Sequence, residues 1–171
     1  ETFRFDPAVL REVTFRQRAL YRGVFTLMLS REPRDFHSNQ KITGKLILDN
    51  SIDDHHVFPD SYLRSTGDVP QRMRDCVLNR TLIDRQTNIR ISNKAPSDYL
   101  SEIQAQMGPS ALATILRSHL LPSGEDSSLW QNDFNAFIDF RQNAIAGAIA
   151  KVTNAEGTPE TPKPFPYMLE D

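Results

Sequence analysis

The chain is poor in cysteine: Cys76 stands alone among 171 residues, which excludes an intramolecular disulfide and any zinc site built from paired Cys-x-x-Cys motifs. It also lacks an apolar run approaching the roughly 20 residues that span a bilayer, and its N-terminus has no signal-peptide core. These absences predict a soluble, cytoplasmic protein with no membrane partner. Net charge is nearly absent as well. The 20 Lys and Arg against 22 Asp and Glu leave −2, so any affinity for a polyanion has to be local. What is present is enough apolar material, 39% of residues, for one buried core. The chain opens on Glu1 and enters a helical pattern almost at once, as expected of a piece of a longer polypeptide.

Asp6-Pro7 is a good helix start, and Val9, Leu10, Val13, Leu20, Val24 and Leu27 predict one long helix to about Leu29. Its polar side carries Arg11, Arg16, Arg18 and Arg22. Lys45–Asp49 reads as a short strand, residues 54–59 as a second extended stretch closed by Pro59, and residues 60–78 as a polar loop. Leu78–Asp84 reads as a strand and Arg85–Asn93 as a short helix stopped before Pro96. Further helices are predicted with Ser97 as a cap, from Pro109, and behind a Ser128–Gln131 capping box. The last of these carries Phe134, Phe137, Ile138, Ile145, Ile149 and Val152. Residues 153–171, with four prolines and a surplus of acids, predict an extended tail after a domain spanning residues 1–152.

The residues with chemistry to offer are His55 and His56. Neighbours on an extended strand face opposite sides, so the two rings are free to do different work. One imidazole can ligate a divalent cation while the other, metal-free, takes a proton from water. Phosphodiester hydrolysis needs both: a cation to stabilise charge at the phosphoryl group and leaving oxygen, and a base to make the nucleophile. A carboxamide adds an oxygen for a hard cation or an acceptor that orients a histidine, and Asn79 and Asn88 are the candidates. Asp53 and Asp54 stand next to the pair, as supporting groups or as direct ligands.

His55-His-Val-Phe-Pro59 followed by Asn79-Arg-Thr-Leu-Ile-Asp-Arg-Gln-Thr-Asn88 resembles the HNH, or His-Me finger, endonucleases. With Thr87-Asn-Ile-Arg-Ile-Ser-Asn-Lys-Ala-Pro-Ser-Asp-Tyr-Leu100 added, the string is most similar to the C-terminal nuclease domain of GmrSD-type restriction enzymes, over about residues 36–103. The resemblance implies an α+β fold, with a ββα-metal finger at about residues 45–94 inserted in a mainly helical frame. It implies His56 as general base, His55 and Asn88 as metal ligands, and Asn79, counted with the catalytic set, as the residue that holds the finger. Asp54 is a possible further ligand. Family members often have Asp where His55 stands, and an imidazole there moves metal preference from Mg²⁺ toward Mn²⁺, Ni²⁺ or Zn²⁺. The implied substrate is DNA, foreign or modified, in an anti-phage defence role, with a nucleotide-dependent domain preceding Glu1.

Residues 71–94 hold Arg72, Arg74, Arg80, Arg85, Arg90 and Lys94 against Asp75 and Asp84, a local positive field suited to a phosphate backbone. Arg80, Arg85, Arg90 and Lys94 are the expected nucleic-acid contacts. The competing expectation is a non-catalytic nucleic-acid-binding or regulatory module that keeps the finger only as structure.

Overall fold

A computed structural model describes residues 5–153; the predicted tail after Thr153 lies outside the described residues. The described residues are α+β, mostly helical, with one two-stranded antiparallel sheet.

The predicted first helix is two pieces. Asp6 caps a 3₁₀ turn, Pro7–Arg11, and helix α1 begins only at Arg18 and runs to Leu29. The break has a backbone cause: the Val13 carbonyl is taken by the Val77 N–H at 2.7 Å, and the Gln17 side chain accepts from the Thr14 N–H at 2.9 Å. Those groups are therefore unavailable to a continuous helix.

The stretch expected to be a strand at Lys45–Asp49 is instead helix α2, Gly44–Leu48, capped by the Thr43 hydroxyl. Its apolar residues have no sheet to pair with, and Leu48 is 82% exposed. Strand β1 is Ile52–His56, two residues earlier than the predicted extended stretch. The expected polar loop holds two short helices, α3 (Asp60–Thr66) and α4 (Gln71–Asp75), each started by a proline at its cap, Pro59 and Pro70. They are tied by Arg74, whose guanidinium donates to the Asp60 carboxylate at 2.6 Å and to the Val69 carbonyl at 2.5 Å. A 3₁₀ turn, Val77–Asn79, delays strand β2 to Arg80–Asp84. Helix α5, Arg85–Ile91, follows without a loop because Asp84 both ends the strand and caps the helix at the Gln86 N–H, 2.7 Å away.

Helix α6 (Pro96–Met107) starts with Pro96 in the first helical position, and Ser97, expected as its cap, lies inside it, clasped by Asn132. Helix α7 (Pro109–Ser118) follows after Gly108, whose φ of +86° suits a glycine. The last helix, α8 (Phe134–Thr153), is capped by Asp133, whose carboxylate accepts from Ala136 N–H at 3.0 Å; the expected Ser128–Gln131 box lies in the preceding turn. No described helix is long and apolar enough to cross a membrane.

The core joins the ribbon to the frame. Val57 and Phe58, which follow β1, are fully buried, and the Phe58 ring sits 5.4 Å from Phe134 and 5.0 Å from Phe137 of α8. Arg141 of α8, also fully buried, donates to the carbonyls of His119 and Arg80, the latter at 3.0 Å. The start of β2 is thus fixed to the frame by a hydrogen-bonded cation as well as by apolar packing.

Candidate active site

β1 and β2 pair antiparallel with His55 opposite Thr81 and His56 opposite Arg80. Alternation along β1 sends Asp53 and His55 to one face and Asp54 and His56 to the other. Each histidine therefore meets a different set of partners.

On the first face, α5 packs against the ribbon and brings Asn88 to His55. The ring Nδ1 and the amide Oδ1 are 2.7 Å apart, and the Asn88 amide nitrogen donates to Asp53 Oδ2 at 3.0 Å. The carboxylate only accepts, so the amide NH₂ must face Asp53 and its oxygen must face the ring; His55 then carries its proton on Nδ1. Its Nε2 is buried and has no hydrogen-bond partner. Only 3% exposed, His55 has its pKa pushed down to about 4 by burial, against the raising effect of the Asn88 bond, and it is neutral near pH 7. Tyr99 lies edge-on to it at 6.4 Å and donates to the Val57 carbonyl at 2.9 Å, holding the strand end that follows.

His55 Nδ1 and Asn88 Oδ1 are the donors that could hold a borderline divalent cation, with Asp53 on the amide-nitrogen side of Asn88; a cation on Nδ1 would require the ring proton to move to the buried Nε2. Among the described residues, no group of three or more His, Cys, Asp or Glu side chains forms a metal cage. Asp54, the expected further ligand, is on the other face, where it accepts from Tyr21 of α1 at 2.5 Å and lies 3.5 Å from Arg80.

On that second face, His56 Nε2 lies 3.0 Å from Asp75 Oδ1, and the same oxygen accepts from Arg80 at 3.0 Å. Partial burial and the positive charge of Arg80 lower the His56 pKa, against the raising effect of Asp75. Partial burial pushes the Asp75 carboxyl up, but the His56 bond and Arg80 outweigh it, and Asp75 is ionised at neutral pH. Tyr21 is held above its ordinary value by burial and by Asp54.

Asn79 touches neither face. It is fully buried, accepts from the Phe58 N–H at 2.8 Å, and donates to the carbonyls of Phe58 at 3.0 Å and Arg74 at 2.9 Å. It locks the 3₁₀ turn to the segment after β1, and no side-chain atom of it is left to meet a substrate.

The expected nucleic-acid contacts separate. Arg80 is 14% exposed and spent on Asp75 and Asp54, so it belongs to the internal network. Lys94 pairs with Glu102 at 2.7 Å, and Arg85 lies 3.4 Å from Asp53. Arg90 is exposed with no ion-pair partner among the described residues.

Sequence reasoning missed Asp75 and Tyr21, because neither stands in a motif and both reach the site through tertiary packing. It also left out His119 and Asp35. His119 is fully buried; its Nε2 donates to the Arg34 carbonyl and its Nδ1 accepts from Thr81, both at 2.7 Å. Asp35 accepts from the Asp84 N–H at 2.8 Å and the Thr87 hydroxyl at 2.7 Å, fixing the start of α5 and with it the height of Asn88.

No family model matches this chain, and no solved structure matches it. The chain is similar to an uncharacterized protein of Methanocaldococcus jannaschii, at 31% identity over 163 residues. That match takes in 84% of this chain and 27% of the relative, so the chain spans about a quarter of the length of the protein it resembles.

Proposed function

We propose that this chain is the nuclease module of a metal-dependent DNA endonuclease of the HNH type, with β1, β2 and α5 as a ββα-metal finger. The observation that carries the reading is the 2.7 Å contact between His55 and Asn88. It joins the first motif position on a strand to the last on a helix, while His56 turns to the other face with a separate set of partners.

His55 and Asn88, with Asp53 nearby, would hold one divalent ion, Mg²⁺ or a transition ion. When bound, that ion stabilises negative charge on the phosphoryl group and leaving oxygen. His56 takes the proton from the attacking water. Asn79 and Tyr99 fix the Val57–Phe58 segment, so the strand end that carries both rings does not shift. Arg85, three positions before Asn88 on α5, lies on its side of the helix, and Arg90 is an exposed cation of the same helix; both meet phosphates of the substrate backbone. The biological setting that fits is defence against foreign or modified DNA, with substrate choice made by a nucleotide-dependent domain elsewhere in a longer polypeptide.

The test is conversion of supercoiled plasmid in the presence of Mg²⁺, Mn²⁺ or Ni²⁺. Nicked or linear products abolished by chelator support the nuclease; retardation of intact plasmid, weakening as salt rises, points to a binding module instead. A matched RNA substrate, if cleaved in preference, reassigns the substrate.

A further inference from the structure

We propose that Asp75 is a positioning residue for His56, holding its ring in the Nε2–H tautomer so that the Nδ1 lone pair is the proton acceptor. The inference rests on the proposed role of His56 as base and adds the atom that does the work and the group that selects it.

An ionised carboxylate only accepts hydrogen bonds, so the ring nitrogen 3.0 Å from Asp75 Oδ1 must be the one that carries hydrogen. A neutral imidazole has one N–H, which leaves Nδ1 unprotonated. Among the described residues Nδ1 has no hydrogen-bond partner, and it is absent from the buried polar atoms that lack one, so it reaches solvent. A water can approach it there.

Asp75 is itself held in place. Arg80 donates to the same Oδ1 at 3.0 Å, and Gln71, one turn earlier on α4, approaches the other oxygen at 3.4 Å. Arg80 is in turn 3.5 Å from Asp54, whose other oxygen takes the Tyr21 hydroxyl. Residues of β1 and β2 therefore meet on one oxygen of the α4 carboxylate, and α1 is tied to them through Asp54 and Arg80. A surface ion pair needs no such support; a base whose tautomer must not change does.

The test reads the ring directly. Long-range ¹⁵N–¹H spectra of the neutral His56 ring in the wild-type protein should show hydrogen on Nε2, and hydrogen on Nδ1 overturns the proposal before any variant is made. In Asp75→Ala the ring should lose its single tautomer, and single-turnover cleavage should fall by about tenfold to a hundredfold with DNA affinity unchanged. In Asp75→Asn, Arg80 forces the amide oxygen to face it, so the same atom still accepts from Nε2–H, and the tautomer and part of the rate should return. Retention of the pure Nε2–H tautomer in folded Asp75→Ala contradicts the proposal. If the wild-type protein cleaves no DNA, the role of His56 as base fails, while the ring spectra still decide whether Asp75 holds it.

Discussion

Asn79 closes on Phe58 from both sides, accepting its N–H at 2.8 Å and donating to its carbonyl at 3.0 Å. Both residues are fully buried, and the Phe58 ring packs the segment after β1 against α8. Asn79→Ala leaves buried backbone groups unpaired and should cost about 2–4 kcal/mol, since each such group forfeits about 1–3 kcal/mol. Urea unfolding measures this. Activity should fall in step with the folded fraction, and a fully folded but inactive Asn79→Ala would instead make Asn79 a participant in the reaction.

Buried neutral histidines make the fold acid-sensitive in a defined window. Burial pushes the pKa of His119 down to about 4, against the raising effect of its bond to the Arg34 carbonyl. In the unfolded chain the ring titrates at about 6.5. Above that value both states are neutral and the pair of states has no proton difference. Between about 6.5 and 4 only the unfolded state takes up the proton, so stability falls as pH falls, by up to about 1.4 kcal/mol per pH unit for this ring. His55, also pushed down to about 4, adds a second contribution of the same sign. Denaturant titrations across this window should show proton uptake on unfolding from these two rings, with His56 and Asp75, also lowered, adding to it. The uptake should be reduced by about one in His119→Gln; a pH-independent stability there contradicts the neutral assignment.

Arg80 and Arg90 should respond in opposite ways. Arg90→Gln removes an exposed cation and should weaken DNA binding, lowering the magnitude of the salt slope by about one while leaving thermal stability within about 0.5 kcal/mol. Arg80→Gln cuts the network joining Asp75 to Asp54 and should destabilise the fold, with little change in salt slope. Fluorescence anisotropy against salt, with melting curves, separates the two.

What the sequence made legible follows from how local each signal is. The His55-His56 division needed only strand alternation, and β2 with α5 needed only an alternating stretch ending at Asp84, a helix cap. The failures share a cause in distant partners. The first helix breaks because Val13 spends its carbonyl on Val77, 64 positions along the chain. The Lys45–Asp49 segment has strand-like residues but no strand to pair with, so the Thr43 cap decides for a helix. Arg80 looked like a phosphate contact because composition counts charge without seeing that Asp54 and Asp75 absorb it. Asp75 was illegible for the same reason, since nothing within the α4 segment marks the one carboxylate that reaches the ring.

The division between a ligand and a base is tested most directly by comparing His55→Ala and His56→Ala in paired assays, Mn²⁺ binding by calorimetry and single-turnover cleavage of plasmid DNA. His56→Ala should keep Mn²⁺ binding and DNA affinity while losing at least about a hundredfold in rate, and His55→Ala should lose Mn²⁺ binding along with cleavage. Cleavage by folded His56→Ala at the wild-type rate, or unchanged Mn²⁺ affinity in His55→Ala, would contradict the assignment.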